Sequence, residues 1–438
     1  MEQHKKEMIV AAIVIALGYG LVHWPLGALV DDYLRVLAGL DNTGFVGGAA
    51  SGGTAAQQVE AFKSVIIPVK NMLFLTVVVF LGIPVGRATL GAWRKSMSGR
   101  GARAVGKPMV ALLALGLLAF PMQLGLLGRG YSRISMSLMG ATDPSGLLYR
   151  RALMPALAHF TQLQGPFWYL IFSLIVSYGL LVCINWYFSN AGLDLPLYAL
   201  ISVGTSAFFF ALLQSPGYPE HLAYILVLLA AVVPMDDLTK VKAGALALLA
   251  HEGVMLVLAP LAIFRFTLAA RRGTLLVIGA YLIAWLASHG WRPLQVIASH
   301  NINGLSGWQW AIREPALLVA GIFFTYKLLW ILIVWALIRS PAPERSLIVS
   351  MLAVGFLACF LGVDTTRMAG FGFIGLLVAL AAICRNRGKL PLTAKLVLAA
   401  NLCVPSLYVG LNVGGYVFNG LYKLMFHGVV VSATSKIF

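Results

Sequence analysis

Residues 166–188 read PFWYLIFSLIVSYGLLVCINWYF, a run without a single Asp, Glu, Lys or Arg. As a helix rising 1.5 Å per residue it covers about 34 Å, enough to cross a hydrocarbon layer of about 30 Å. Runs of the same kind recur at 8–29, 65–86, 108–127, 196–213, 219–234, 242–264, 273–288, 315–338, 346–362, 369–384 and 393–411. None shows the apolar and polar alternation of a membrane barrel strand. The expected fold is therefore all-α, a polytopic transmembrane helix bundle of about 11–13 spans, forming one integral membrane domain with no separate soluble domain.

Composition agrees with that reading. The chain has 438 residues, 60% of them hydrophobic and 11% charged, with a mean hydropathy of +0.88. So much apolar surface does not fit inside one soluble core, and lipid must serve as its solvent. The first run, from Met8 to about Leu29, is long and lacks a small-residue cleavage site, so it reads as a first span rather than a signal peptide. Cys183, Cys359, Cys384 and Cys403 lie in or beside apolar runs without paired spacing and read as small buried hydrophobes.

In a soluble protein the net charge of +17 would suggest a nucleic-acid partner. Here the cations fill short loops between apolar runs, the positive-inside pattern of a bacterial inner (cytoplasmic) membrane protein, and no nucleic-acid partner is expected. Lys5 and Lys6 before the first run, and Arg87, Arg94, Lys95, Arg100, Arg103 and Lys107 after the second, place the N-terminus in the cytoplasm. Loops around Arg265, Arg271 and Arg272, around Arg339 and Arg345, and around Arg385, Arg387, Lys389 and Lys395 belong on that same face, but the run count disagrees by one crossing. The discrepancy lies between residues 128 and 265, where 219–234 is re-entrant or 145–163 is buried. With 242–264 taken as one span, Asp236 and Asp237 face outward, with Asp364 and Arg367. The outer face then holds the inserts 30–64, 128–165 and 289–314, and with them the expected site.

Few acids are available, 15 in all. Asp31 and Asp32 follow the first run as a pair, placed to take a proton from a hydroxyl, to hold a divalent cation, or to cap a helix beside Arg35. His251 and Glu252 sit near the middle of the run 242–264, where an ionisable residue is a functional candidate by default, the plain alternative being a structural hydrogen bond to another span. Asp364 and Arg367, three residues apart, form a local ion pair or offer a guanidinium to phosphate. Arg150 and Arg151 in the second insert, and His300 and Arg313 in the third, are cations on the outer face and answer lipid headgroups or an anionic substrate. Asp236 and Asp237 complete the set of candidate substrate-binding residues. The glycine-rich stretch Asn42–Ala56 is a candidate loop beside the acidic pair. No phosphate-binding loop, dinucleotide fingerprint or zinc-protease motif is present, and residue 255 is Met, so His251 and Glu252 do not begin one; no residue is singled out as a metal ligand, and a divalent cation is the one cofactor left open.

Taken together, Asp31 and Asp32 after the first run, Tyr149-Arg150-Arg151-Ala152-Leu153-Met154-Pro155 in the second insert, His251-Glu252, and Asp364-Thr365-Thr366-Arg367 resemble the layout of the polytopic GT-C glycosyltransferases. The resemblance is one of architecture over most of the chain, carried by short motifs, and the soluble outer domain common in that class has no counterpart here. It implies transfer of a sugar from a polyprenyl-phosphate carrier to a lipid-linked glycan or other acceptor on the outer face. On that reading Asp31 or Asp32 is the base, Arg150, Arg151 and Arg367 hold the donor phosphate, and His251 and Glu252 support the cavity floor or position a cation. Two competing readings share these residues: a polymerase or ligase of lipid-pyrophosphate glycans, and a proton-coupled secondary transporter with His251 and Glu252 as its relay.

Overall fold

The computed structural model describes residues 6, 8–14, 16, 53–97, 101–119, 124, 126–137, 151–214, 216–288, 307–362, 364–385, 389–404, 406–410 and 413–417. Asp31, Asp32, Arg150, His300 and the stretch 42–52 lie outside the described residues. The helices are α1 (Gly53–Met97), α2 (Gly101–Ala119), α3 (Leu126–Ser137), α4 (Leu153–Phe160), α5 (Gly165–Asn190), α6 (Leu197–Gly204), α7 (Ala207–Gln214), α8 (Glu220–Val232) and α9 (Asp237–Ala250). They continue as α10 (Val254–Arg265), α11 (Leu268–Ser288), α12 (Gly307–Arg313), α13 (Pro315–Tyr326), α14 (Leu329–Arg339), α15 (Ala342–Ala358), α16 (Thr365–Ala369), α17 (Phe373–Cys384) and α18 (Leu392–Cys403). A 3-10 turn, Gly370–Gly372, joins α16 to α17.

Helix dominates, with one addition to the all-α expectation. Strands β1 (Leu407–Gly410) and β2 (Val413–Val417) pair antiparallel, Tyr408 opposite Tyr416. The expected run 393–411 is thus helical only to Cys403. Val404 precedes Pro405 and takes extended backbone, as a residue before proline is pushed to do.

Four helical stretches are long and apolar enough to cross a membrane, Asn71–Ser96, Gly165–Asn190, Leu268–Leu286 and Thr365–Cys384, rising to six if each of two bent pairs counts as one span. The bent pairs are α6 with α7, at 74°, and α13 with α14, at 78°. Lipid-facing surface is visible on the long helices: Leu73, Val79, Phe80 and Ile83 on α1, and Phe167, Trp168 and Ile175 on α5, are exposed. This is the make-up of a multi-pass membrane protein. The described residues hold fewer full-length spans than the dozen expected: some runs are bent or broken in mid-course, Ala104–Ala119, Glu220–Val232 and Leu392–Cys403 are short, and most of the run 8–29 lies outside the described residues.

The most consequential break falls in 242–264, which is two helices rather than one span. α9 ends at Ala250, His251 takes extended backbone (φ −159°, ψ 124°), and α10 starts after Gly253. The chain then returns: Lys240 near the start of α9 lies over the ring of Phe266 just past the end of α10, 5.9 Å from its centroid. Val241 and Gly273 also pack together at this end. The segment is a helical hairpin with His251, Glu252 and Gly253 at its tip, so the single span expected over 242–264 is not there. Asp236 and Asp237 stand at the hairpin's foot, and the single span from which their outward side was inferred is absent.

That foot shares one end of the bundle with the basic loops. Lys107 pairs with Asp194, Ser96 donates to Asn190 (3.3 Å), and Arg385 pairs with Glu344. Tyr187, near the end of α5, lies within electrostatic reach of Arg265, Glu344 and Arg385. At the other end, the Tyr169 hydroxyl near the start of α5 donates to Gly217 O (3.3 Å), and Gly217 (φ 104°) meets Gly128 so closely that a Cβ on either would collide with backbone. This second end carries α3, the buried α4 and the hairpin tip.

Candidate functional site

Four separate stretches supply the charged side chains gathered at the hairpin tip. Arg151, just before α4, reaches Glu252 with both arms: Nη2 donates to Oε1 at 2.7 Å and Nε to Oε2 at 2.9 Å. A fork on fork pair of this kind is strong and directional, since the planar guanidinium matches the carboxylate. The Tyr131 hydroxyl on α3 stands 3.5 Å from Arg151 Nη1. Glu220, the first residue of α8, is fully enclosed, with Arg367 Nε 3.2 Å and His251 Nε2 3.4 Å from its Oε1. Arg367 Nη1 also lies 3.1 Å from Asp364 Oδ2, and its guanidinium sits over the Tyr218 ring, 5.1 Å from the centroid.

The tip geometry sets the state of His251. Its Nδ1 accepts from the Gly253 backbone N–H at 2.9 Å, so the neutral ring carries its proton on Nε2, the nitrogen that faces Glu220. Residue 253 has to be glycine at this turn, because a Cβ there would lie 2.6 Å from Phe371 Cζ and 3.1 Å from His251 Nδ1. Phe371 in turn meets the His251 ring edge to face, at 5.4 Å. Neither carboxylate oxygen of Glu220 receives a well-formed hydrogen bond among the described residues. Arg367 and His251 hold it by close electrostatic contact.

Exposure is graded across the cluster. The side chain of Glu220 is 1% exposed and that of Arg367 8%, while Asp364 reaches 24%. The arrangement is a ladder of opposite charges running from an enclosed carboxylate to an open edge at Asp364 and the half-buried Tyr218. Burying this many charges is tolerable only because each faces another, and removing one partner leaves its mate exposed to an apolar surround.

Of the residues singled out from sequence, the structure joins Arg151, His251, Glu252, Asp364 and Arg367 in this one cluster. Arg313 is apart from it, exposed at the end of α12 with Glu314 Oε1 3.7 Å from its Nε. Asp236 caps α9 at the opposite end of the hairpin, its carboxylate accepting from the Thr239 N–H (2.9 Å) and hydroxyl (2.7 Å), and Asp237 follows it. Sequence reading missed Glu220, the centre of the cluster. The signal was present: Pro219-Glu220-His221 places an acid at the first position of an otherwise apolar run. It also missed Tyr131 and Tyr218. Among the described residues no group of three or more His, Cys, Asp or Glu is arranged to hold a metal ion. Compared with protein-family models, with characterised proteins and with solved structures, the chain gives no match.

Proposed function

We propose that this chain is a membrane glycosyltransferase of GT-C type, moving a sugar from a polyprenyl-phosphate carrier to a lipid-linked glycan or other acceptor, with the hairpin-tip cluster as its reaction centre. The observation that supports the reading is the charge ladder itself, which sets a partly exposed carboxylate (Asp364) beside the buried guanidinium of Arg367. The reaction needs such a pair. The acceptor hydroxyl gives its proton to a carboxylate as its oxygen bonds to the sugar's anomeric carbon, and the bond from that carbon to the phosphate oxygen breaks. The electron pair leaves with the carrier phosphate, whose growing negative charge a guanidinium stabilises. Asp364 is the carboxylate at the edge, and Asp31 or Asp32 is the base that the resemblance implies. Arg367 faces the leaving phosphate, held in orientation by enclosed Glu220, while the Arg151–Glu252 pair fixes the tip against α4. On the outer face of an inner membrane, the lipid-linked donor would reach this edge sideways from the bilayer.

A proton-coupled transporter is the second reading, favoured by the broken helices α6–α7 and α13–α14, since interrupted helices mark ion and substrate sites in such carriers. One experiment separates the two. Purified protein in lipid nanodiscs is incubated with a panel of radiolabelled polyprenyl-phosphate sugars and acceptor lipids, and release of carrier phosphate is followed for wild type, Asp364→Asn, Arg367→Lys, Asp31→Asn and Asp32→Asn. The transferase reading expects turnover in wild type, a loss of about 100-fold or more in kcat for Arg367→Lys, and abolition by one of the aspartate variants. No turnover with any donor, together with proton-driven uptake of a solute in sealed vesicles, replaces it with the transporter.

A further inference from the structure

Lys327 occupies the bend between α13 and α14 at φ 52° and ψ −126°, a backbone geometry that costs an L residue energy and that glycine adopts freely. A lysine at such a position points to a use for its side chain. That side chain is 1% exposed, and it lies about halfway along a pair of helices of 12 and 11 residues.

Its Nζ contacts three oxygens: Thr205 Oγ1 at 3.0 Å, Val404 O at 3.2 Å and Ser406 Oγ at 3.3 Å. Hydrogen accounting fits the ammonium form. The Thr205 hydroxyl already donates to Ser202 O (2.8 Å), the Ser406 hydroxyl already donates to Thr205 O (2.9 Å), and a carbonyl has no hydrogen to give. With the hydroxyls so directed, all three contacts take hydrogens from Nζ, and only the ammonium form has three. Among the described residues, no carboxylate pairs with it.

Helix ends answer the charge instead. Thr205 is the C-cap of α6, Val404 the C-cap of α18, and Lys327 itself the C-cap of α13. Each helix C-terminus carries the equivalent of about half a negative charge, and the ends of α6 and α18 meet at the one ammonium. Asn401 ties the junction together, accepting from Leu328 N at 2.9 Å and donating to Ser202 Oγ at 3.1 Å. Neutral oxygens at the ends of broken helices, deep in a membrane bundle, are the materials of a monovalent-cation site.

We propose that this junction is a monovalent-cation site whose resident ion is the tethered Lys327 ammonium, and that shortening the side chain turns it into a site for a free ion of the same class. Contacts of 3.0–3.3 Å suit a hydrogen-bonded ammonium, so methylammonium is the first probe and K⁺ the second. The proposal does not depend on the transferase reading. Its test uses the full chain in lipid nanodiscs, following the thermal midpoint by tryptophan fluorescence at constant ionic strength in choline, potassium or methylammonium chloride. Lys327→Gly removes the ion while relieving the backbone; its midpoint is expected to fall in choline and to recover at least half of the loss, saturably, in methylammonium or K⁺. Wild type is expected to show no such dependence, and Lys327→Met, which fills the space with an apolar chain, to stay low in every salt. A Lys327→Met midpoint equal to wild type, or no saturable recovery of Lys327→Gly, overturns the proposal. Should Lys327→Gly not fold, Ser406→Ala with the lysine retained decides the matter: a lowered midpoint supports a resident ammonium, and an unchanged one overturns it.

Discussion

At the hairpin tip, Arg151 faces Glu252, and Arg367 faces Glu220 and Asp364, whereas Lys327 in mid-bundle faces two hydroxyls and a carbonyl. Both regions bury full charges among apolar helices, and they neutralise them differently. The tip sets charge against charge, drawing its members from stretches far apart in sequence. The junction sets charge against the summed dipoles of helix ends. The difference lies in what remains when one member is lost. A missing carboxylate strands a guanidinium, but a missing hydroxyl removes one hydrogen bond of three and leaves the helix ends in place.

The largest expected effect is therefore at Glu220. Glu220→Gln keeps the shape but leaves Arg367 and His251 facing a neutral amide in a fully enclosed site, and it is expected to cost about 3–5 kcal/mol. A thermal midpoint in nanodiscs within a degree or so of wild type would break the comparison, showing that the tip is held by packing alone. The Arg151–Glu252 pair sharpens it. Arg151→Met and Glu252→Met are each expected to cost about 3–5 kcal/mol, yet the double variant should recover much of that loss, because neither charge is then left without its mate. Additive losses across that cycle would argue against a mutually compensated pair.

The junction should respond more mildly. Thr205→Val is nearly isosteric and removes one of three acceptors from the Lys327 ammonium, together with the hydroxyl's own bond to Ser202 O. A hydrogen bond to a charged group is worth about 1.5–3 kcal/mol, and a loss in that range, smaller than at Glu220, is expected from the same thermal measurement. A loss as large as that of Glu220→Gln would mean that the junction depends on a single contact rather than on convergent helix ends.

These two regions differed in how far the sequence announced them. His251 and Glu252 stand out in an apolar run, and Asp364 and Arg367 stand out by charge and spacing, so much of the tip was legible. Glu220 was not, because an acid at the start of an apolar helix reads equally well as an ordinary first-turn charge favoured by the helix dipole. Lys327, in Phe323-Phe324-Thr325-Tyr326-Lys327-Leu328, reads as a stray cation inside a span, and no local pattern reveals that Thr205 and Ser406 meet it from 122 and 79 residues away. The helical membrane class was legible from apolar run length alone. The hairpin at 242–264 was hidden because its 23 residues match a span in length and hydropathy, and only the small set His251-Glu252-Gly253 marks the turn.

The smallest effect is expected where a buried charge is no longer at issue. Asp236, at the foot of the hairpin whose tip holds Glu252, is an exposed carboxylate that caps α9 through the N–H and hydroxyl of Thr239. Partial burial acts to raise its pKa, but those hydrogen bonds outweigh that effect and hold it below the ordinary value of 3.8. A depressed carboxyl stabilises the fold fully above its unfolded value, and the contribution is lost as the pH falls through the lowered one. Asp236→Ala should therefore cost about 1 kcal/mol at neutral pH, the usual worth of an N-cap. The gap from wild type should close in strongly acidic solution, as the wild-type carboxyl takes up its proton. Thermal midpoints of the two proteins across that pH range provide the check. A gap that stays constant would mean that Asp236 acts through shape rather than charge, and a loss matching that of Glu220→Gln would show that water at the foot does not screen what lipid and packed helices leave unscreened at the tip.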